Sequence, residues 1–338
     1  MAKPQFELGI VAGRGCPEFA EGIAERLNVD TVEVELRDHA NSEQYVRFDE
    51  SVRRKALFIF GAHALIKGRS VDQQITEQRM LINAARLAGA PRITAAFPYM
   101  GYSRGDRKAR SGESIPAADT ARDFEFSGAH RLFTCDLHSG QVQGAVKIPF
   151  DHITARLEKV KWLRQNWLTE HGKRNVMLVG ADNGRAKDTV RAARRLGIPY
   201  AIIDKRHDEV TGKTYVEGVL GDVKGYECML WDDMIDSAGT TKADAEAVME
   251  RGASGVSAIV SHGINSKVSA ANIATSPLKQ VIVTNTLPQN KNRKLIEKAS
   301  HGRVEFHVLD LIPLHAWATR RIWQNKSISK AFQDEHLE

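Results

Sequence analysis

Cysteine is scarce in this chain of 338 residues, which argues against a fold held together by disulfides. The three cysteines, Cys16, Cys135 and Cys228, lie far apart and form no C-x-x-C pair. An odd number of cysteines in a chain with ample apolar residues argues equally against a thiolate metal site. We therefore predict a reducing compartment, the cytoplasm.

Long hydrophobic runs are missing as well. No stretch approaches the roughly 18 uninterrupted apolar residues of a membrane span. The first residues, MAKPQFELGIVAGRG, contain an apolar stretch too short for a secretory signal, so we expect no membrane association. The composition, 42% apolar and 27% charged, is that of a folded globular protein. The length suits two domains of average size.

The charge balance is modestly basic, with a formal net charge of +6. Basic clusters occur at residues 104–110 (RGDRKAR) and 191–195 (RAARR). They lack the interleaved aromatic residues of single-strand binders and match no duplex-binding motif, so we expect no nucleic-acid partner. Small polyanions such as nucleotides and sugar phosphates suit this excess, as does a mildly basic surface without a ligand.

Short apolar runs typical of buried strands alternate with helical patterns. The helical patterns at residues 73–89 and 240–252 both end at a glycine, a usual helix stop. Alternating strands and helices indicate βαβ units and a mainly parallel sheet. The predicted strands cover residues 6–11, 31–36, 56–60, 92–97, 131–135, 175–179, 200–204, 227–231, 256–260 and 281–285.

The series of strands and helices occurs twice, which predicts two α/β domains. The first spans residues 1–151 and the second residues 152–305, while residues 306–338 form a C-terminal amphipathic helix and tail that pack back on the body. In open parallel sheets, ligands bind beyond the carboxyl ends of the strands.

The strongest local signal follows the predicted strand 227–231. Asp232, Asp233 and Asp236 precede a loop of small residues that opens a helix. Such a loop presents backbone N–H groups to a phosphate, and the carboxylates can accept hydrogen bonds from sugar hydroxyls. An acidic turn capped by a single hydroxyl is the alternative, but it explains neither the three acids nor the row of small residues. The loop consists of Ser237, Ala238, Gly239 and Thr240.

This run resembles the phosphoribosyl-pyrophosphate motif of type I phosphoribosyltransferases, a fold shared by the ribose-phosphate pyrophosphokinase (phosphoribosyl-pyrophosphate synthetase) family. Other segments resemble that family specifically, in the same order along nearly the whole chain. They are FPYMGYSRGDRKARSG (97–112), RLFTCDLHSGQVQG (131–144), VGADNG (179–184), DKRHDEVTG (204–212) and NKSISKAF (325–332). VGADNG resembles the family's pyrophosphate loop, in which Arg185 stands in the place of a Gly.

The resemblance implies two type I phosphoribosyltransferase-like domains, each with a mainly parallel sheet flanked by helices. The N-terminal domain would serve the nucleotide and the C-terminal domain the sugar phosphate. The implied enzyme is a transferase, a ribose-phosphate diphosphokinase. It would move a pyrophosphoryl group from ATP to the C1 hydroxyl of ribose 5-phosphate, giving AMP and phosphoribosyl pyrophosphate for nucleotide biosynthesis.

The resemblance also implies roles for individual residues. Lys205 would be catalytic, and Asp136, His138 and Asp182 would hold Mg²⁺. The ribose phosphate would contact Asp182, Asp232, Asp233, Asp236, Ser237, Ala238, Gly239 and Thr240. ATP would contact Asn41, Glu43, Arg104 and Asp106, with the first two contributed by a neighbouring subunit of a dimer or hexamer.

Simpler interpretations of these residues stay open at this point. Lys205 alone would suit a solvated loop lysine, His138 a structural hydrogen-bonding residue, and 104–110 a charged loop. Asn41 and Glu43 would equally suit the loop of a monomer.

Several residues depart from the family pattern, which indicates a divergent member. The altered positions are His39 for an aromatic residue, Gly105 for Gln, residues 112–114, Lys147 for an acid, Arg185 for Gly, and His207 for a basic residue. Three alternatives therefore stay open. The acceptor could be a larger ribosyl phosphate such as ADP-ribose, or the chain could be a weakly catalytic regulatory paralogue. A phosphoribosyltransferase would explain the acidic loop but not the D-L-H segment.

Overall fold

A computed structural model describes residues 5–172, 175–207 and 214–329. Contacts divide the chain into two compact units, of which one runs up to Thr154 and takes in the segment from Leu311 onward. The other runs from Ala155 to Asp310. The boundaries predicted after residues 151 and 305 lie close to these divisions. Residues 208–212 of the loop after Lys205, and the tail from residue 330, lie outside the described residues.

The first unit is built on a five-stranded parallel sheet with the order β1-β4-β5-β6-β7. Strands β2 and β3 form a separate antiparallel ribbon, so the predicted strand 31–36 reaches the parallel sheet only through an isolated bridge between Thr31 and Ile10. Its apolar and polar residues alternate because the ribbon is only half-buried. The strands are β1 (Glu7–Ala12), β2 (Val34–Asp38), β3 (Gln44–Phe48), β4 (Lys55–Phe60), β5 (Arg92–Phe97), β6 (Arg131–Cys135) and β7 (Phe150–Ile153).

Three helices lie between the strands of this unit in the sequence: α1 (Pro17–Leu27), α2 (Val71–Leu87) and α3 (Pro116–Ser127). Helix α2 begins with a capping box, in which Ser70 and Gln73 satisfy each other's backbone N–H groups. Helix α3 starts with Pro116 and ends before Gly128, which adopts the left-handed conformation that terminates many helices.

The second unit contains an eight-stranded sheet with the order β10-β9-β8-β11-β13-β14-β15, and β12 pairs with β13. Every pair is parallel except the antiparallel pair β9 and β10. The strands are β8 (Val176–Gly180), β9 (Tyr200–His207), β10 (Thr214–Leu220), β11 (Glu227–Trp231), β12 (Met234–Ile235), β13 (Gly255–Gly263), β14 (Leu278–Thr284) and β15 (Glu305–Leu309).

Helices cover both faces of this sheet, which explains the continuous apolar runs. On β11, Cys228 and Leu230 belong to the core on one face, while Met229 and Trp231 belong to the core on the other. The helices are α4 (Arg156–Trp162), α5 (Leu168–His171), α6 (Ala186–Leu196), α7 (Gly239–Glu250), α8 (Ser269–Ala274) and α9 (Asn290–Ala299), and a π-helical turn at Leu163–Trp167 joins α4 to α5.

The last described helix, α10 (Ile312–Trp323), returns to the first unit and packs on α1. The His315 ring stacks edge-on against Phe19 at 4.8 Å, and the Trp323 indole N–H donates to the Phe6 carbonyl at 2.8 Å. Within the described part of the chain, no helix has the length and apolar character to cross a membrane.

Candidate active site

The acidic loop of the second unit begins where β11 ends, and its backbone is held by neighbouring strands. The Asp233 carbonyl accepts hydrogen bonds from the backbone N–H groups of Ser261 and His262, at 3.1 and 2.8 Å. The Asp233 N–H donates to Oδ1 of Asp232 at 2.8 Å, and Asp233 is buried. The adjacent carboxylates of Asp232 and Asp233 are therefore fixed at the carboxyl edge of the sheet.

The electrostatics of this acid pair involve the pyrophosphate-loop residue that departs from the family pattern. Burial, together with the carboxylates of Asp233 and Asp182, raises the pKa of Asp232. The Arg185 guanidinium lies 4.0 Å from Oδ1 of Asp232 and 3.8 Å from Oδ2 of Asp233. Arg185 thus supplies positive charge directly beside the acid pair.

A second cation, Lys159 on α4, contacts the backbone of the acidic loop. Its ammonium donates to the Asp232 carbonyl at 3.1 Å and lies 4.0 Å from the centre of the Trp231 ring. The Trp231 indole N–H donates to Asp188 at 2.7 Å, and Arg156 donates to the same carboxylate at 2.7 Å. Sequence analysis missed Lys159 because nothing in its local pattern distinguishes a buried lysine from a solvated one.

The small residues after Asp236 form an open turn into α7. The residue before the helix is Ala238, in the left-handed conformation with φ 61°, and its methyl side chain cannot cap the helix. The Ser237 hydroxyl accepts the Gly239 N–H at 3.4 Å, so the alternative of a turn capped by one hydroxyl holds for Ser237 at the first N–H of the helix. The first N–H groups of a helix have no intrahelical partner, so this end of α7 suits an anion. Ser237, Gly239 and Thr240 are exposed there.

Asp182 follows β8, and Lys205 lies on β9. In the sheet, β9 lies beside β8 and β8 beside β11, so Asp182, Lys205 and the acidic loop belong to three adjacent strands. The Asp182 carboxylate accepts from the Arg185 N–H at 2.9 Å, and the Asn183 amide donates to Asp204 at 2.9 Å. These contacts link the pyrophosphate loop to β9.

Lys205 is not the solvated loop lysine that its sequence context alone would suggest. It lies on β9 with a side chain only 10% exposed, and its ammonium donates to Asp244 on α7 at 2.8 Å. The Asp244 side chain is 2% exposed. Burial raises the pKa of Asp244 to about 6, against the opposing effect of Lys205. Sequence analysis missed Asp244, although its spacing of four residues from the buried Val248 placed it on the apolar face of the helix.

The remaining predicted metal residues lie in the first unit, after β6. Asp136 has φ 38°, and its N–H donates to the Ile153 carbonyl at 2.9 Å. The next residue, Leu137, donates its N–H to Nε2 of His152 at 2.9 Å. This hydrogen bond fixes the backbone next to His138. Among the residues that the structure describes, no three His, Cys, Asp or Glu side chains form a group suited to a metal ion.

The predicted nucleotide residues occupy two segments of the first unit. Asn41 and Glu43 lie at the exposed tip of the β2–β3 ribbon, where the Asn41 amide oxygen accepts from the Glu43 N–H at 3.2 Å. Arg104, which is exposed, and Asp106, which is half-buried, lie on the loop after β5.

The β5–α3 loop is anchored near its start. The Gly101 N–H donates to Nδ1 of the buried His63 at 3.2 Å, and the Tyr102 hydroxyl donates to Asp72 at 2.6 Å. A Cβ added at Gly105 would lie 2.8 Å from Cδ of Pro116, so the glycine at this unusual position fits the start of α3. Farther along, Glu113 accepts N–H groups of Ala109 and Arg110 at 2.8 and 3.0 Å, which lowers its pKa.

Residues with positive φ occur in each of these segments. Nine described residues other than glycine have positive φ, and four of them lie in predicted site segments: Ser42, Tyr102, Asp136 and Ala238. Such conformations cost about 1–3 kcal/mol and tend to cluster at functional sites.

Comparisons with known proteins match both units. Residues 8–128 match a family model described as the N-terminal domain of ribose phosphate pyrophosphokinase, and residues 209–333 match the phosphoribosyl synthetase-associated domain. The chain is 34% identical to a ribose-phosphate pyrophosphokinase of Corynebacterium glutamicum, over 98% of this chain and 97% of the relative. It is 36% identical to one of Clostridium acetobutylicum, over 96% and 97%.

A solved structure gives the same result. The crystal structure of phosphoribosylpyrophosphate synthetase from Mycobacterium smegmatis superimposes with a TM-score of 0.83 and is 34% identical in sequence. The match covers 94% of this chain and 99% of that one.

Proposed function

Because the chain belongs to the ribose-phosphate pyrophosphokinase family, we propose that it makes phosphoribosyl pyrophosphate from ATP and ribose 5-phosphate. The C1 hydroxyl oxygen of the sugar attacks the β-phosphorus of ATP. The bond from that phosphorus to the α,β-bridging oxygen breaks, and AMP leaves. The enzyme is a transferase, and its product supplies activated ribose for nucleotide biosynthesis. The observation that carries the proposal is the acidic loop at the carboxyl end of β11, which leads directly into the start of α7.

The second unit would bind the sugar phosphate. Asp232, Asp233 and Asp236 accept hydrogen bonds from the sugar hydroxyls through their carboxyl oxygens. The backbone N–H groups from Ser237 to Thr240 bind the 5-phosphate, because the first N–H groups of a helix have no intrahelical partner and lie at the positive end of the helix dipole. Asp182 completes this site from the neighbouring strand.

Transfer itself requires alignment and charge stabilisation rather than a covalent enzyme intermediate. Negative charge on the oxygens of the transferred group is stabilised by the Lys205 ammonium. A lysine with little solvent exposure is effective in this role, because fixed charges act more strongly where water is excluded.

Mg²⁺ is the proposed cofactor, and the donor chemistry of Asp136, His138 and Asp182 fits it. Mg²⁺ in nucleotide sites is held by one or two carboxylates together with substrate phosphates and waters. His138 adds a nitrogen donor, which Mg²⁺ accepts less readily than oxygen. When bound, Mg²⁺ supplies positive charge to the phosphate oxygens of ATP.

The first unit would bind ATP through Arg104 and Asp106 of one subunit and Asn41 and Glu43 of another. The exposed tip of the β2–β3 ribbon supports this proposal, because exposed residues are available to a second copy of the chain. We therefore propose a homo-oligomer, a dimer or hexamer. The proposed compartment is the cytoplasm, which agrees with the burial of all three cysteines.

The test is product analysis by mass spectrometry after incubation with ATP, Mg²⁺ and ribose 5-phosphate. We expect AMP and phosphoribosyl pyrophosphate in equal amounts, and neither product when EDTA replaces Mg²⁺. ADP together with a singly phosphorylated sugar would contradict the reaction type.

Two controls separate the alternatives. A parallel incubation with ADP-ribose tests the larger acceptor, and a pyrophosphorylated ADP-ribose would identify it. Addition of an active synthetase to an inactive sample tests the regulatory alternative, because a regulator changes the rate of the added enzyme without forming product alone.

A further inference from the structure

Helix α7 carries an acid on its buried face that the proposed reaction does not use. Asp244 is 1% exposed as a residue, and it lies among the small buried side chains of Ala245, Ala247 and Val248. A helix that packs on a sheet normally presents only apolar residues on that face. The carboxylate therefore has a role other than packing.

The ion pair between Asp244 and Lys205 contributes little net stability to the fold. Lys205 and Asp244 are both withdrawn from water, and desolvation of two charges can exceed their mutual attraction. Moreover, Oδ1 of Asp244 is buried and has no hydrogen-bond partner among the described residues. An incompletely satisfied buried carboxylate persists where it serves the residue that it contacts.

We propose that Asp244 is a positioning residue for Lys205, an inference that rests on the proposed function. The carboxylate holds the lysine ammonium at a fixed point against α7, the helix that begins at the end of the acidic loop. An ammonium has three N–H donors, so a lysine held by one of them retains donors for the oxygens of the transferred phosphoryl group. The flexible four-carbon stem of lysine loses conformational freedom in the free enzyme instead of during the reaction.

Helix α7 links this contact to the proposed acceptor site. The helix starts at Gly239, in the loop proposed to bind the sugar phosphate, and Asp244 lies five residues farther on. At about 1.5 Å per residue, the carboxylate is attached about 7.5 Å along the axis from the helix start. One rigid element thus sets the position of both the acceptor phosphate and the lysine that acts on the transferred group.

A double-mutant cycle in kcat tests the proposal with four enzymes: wild type, Asp244→Asn, Lys205→Ala and the double variant. We expect Asp244→Asn to lower kcat about ten- to a hundredfold, the range for misplacement of a catalytic group, with the KM for ribose 5-phosphate within twofold. In the Lys205→Ala background, the same substitution should leave kcat unchanged. Equal losses in both backgrounds, or no loss in wild type, would overturn the proposal.

Two further variants keep the result interpretable. Glu246→Gln removes an acid from the exposed side of the same helix and should leave kcat unchanged. Asp244→Glu keeps the charge and moves the carboxylate by one methylene. It should also lower kcat, and it replaces Asp244→Asn in the cycle if the asparagine variant does not fold.

A measurement without turnover separates this proposal from the proposed function. An amine-reactive ester labels lysines, and peptide mass spectrometry gives the rate at Lys205. We expect Asp244→Asn to raise that rate at least severalfold over wild type and over Glu246→Gln. Equal rates would contradict the pairing. If wild type forms no AMP but its Lys205 is labelled more slowly than Lys205 of Asp244→Asn, only the proposed function is contradicted.

Discussion

A buried histidine should make the stability of the first unit depend on pH. His63 is inaccessible to solvent and stacks against Phe97 and Phe124. Its Nε2 lies 2.7 Å from the amide oxygen of Gln78, whose own NH₂ donates to the carbonyls of two strands. Since Nδ1 accepts from the Gly101 N–H, the ring is neutral in the folded state.

The size of the effect follows from the pKa of this ring. Burial lowers the pKa of His63 from 6.5 to about 4. Between these values the unfolded chain binds a proton that the folded chain does not, so acidification favours unfolding. At about pH 7.5 neither state binds the proton, whereas at about pH 5 the difference is about 2 kcal/mol. We expect His63→Gln, which cannot be protonated, to remove that much of the pH dependence.

Two buried cysteines allow each unit to be followed separately. Cys135 lies on β6 of the first unit and Cys228 on β11 of the second. The protein is equilibrated in increasing urea at about pH 7.5 and pH 5, and then given a short pulse of a disulfide reagent that reacts at both values. Peptide mass spectrometry gives the fraction of each thiol that was exposed. The free energy of unfolding is then obtained for each unit from its own cysteine.

The comparison is between wild type and His63→Gln at the two pH values. The Cys135 transition of wild type should lose about 2 kcal/mol more on acidification than that of the variant, while the Cys228 transitions should match. Substitution of the exposed His301 by Asn serves as the control and should leave the wild-type pH dependence unchanged. An equal loss in wild type and His63→Gln would show that His63 is not the group responsible.

Three other predictions concern the proposed site. Lys205→Ala should lower kcat about 10²–10³-fold, as expected for loss of one preorganised charge, with little change in sugar-phosphate binding; near-native kcat would contradict its catalytic role. Asp236→Ala should raise the acceptor KM about ten- to a hundredfold, equivalent to about 1.5–3 kcal/mol. An unchanged acceptor KM with a raised ATP KM would show that Asp236 binds ATP and not the acceptor. Light scattering should give a mass of at least a dimer, with ATP turnover lost on dilution to monomers; a fully active monomer would remove Asn41 and Glu43 from the site.

Much of the fold is predictable from the sequence because parallel strands are buried on both faces. The predicted strands 92–97, 131–135 and 227–231 coincide with β5, β6 and β11, whose residues are almost all buried. The strands that sequence analysis missed include β7, β10 and β15, and each is at the edge of its sheet. An edge strand has fewer neighbours and needs no continuous apolar run, so its sequence resembles that of a loop.

The candidate site also has one part that is predictable from the sequence and one part that is not. The acidic loop is predictable because its acids and small residues are contiguous, and their chemistry follows from the sequence order. The contacts that position the site are not predictable, because Lys205 and Asp244 are 39 residues apart and meet only through tertiary packing. The burial of Lys159 depends likewise on α4 lying against the end of β11.

The return of α10 to the first unit has a consequence for synthesis on the ribosome. The second unit is continuous in sequence, from Ala155 to Asp310, whereas the first unit is interrupted by it. The face of α1 around Gly22, where Ile312 packs, stays exposed until α10 has been translated. Domains generally fold as units during translation, at about 5–20 residues per second. The first unit therefore begins to form earliest but is completed last, and a nascent chain truncated before α10 leaves that face open to chaperones.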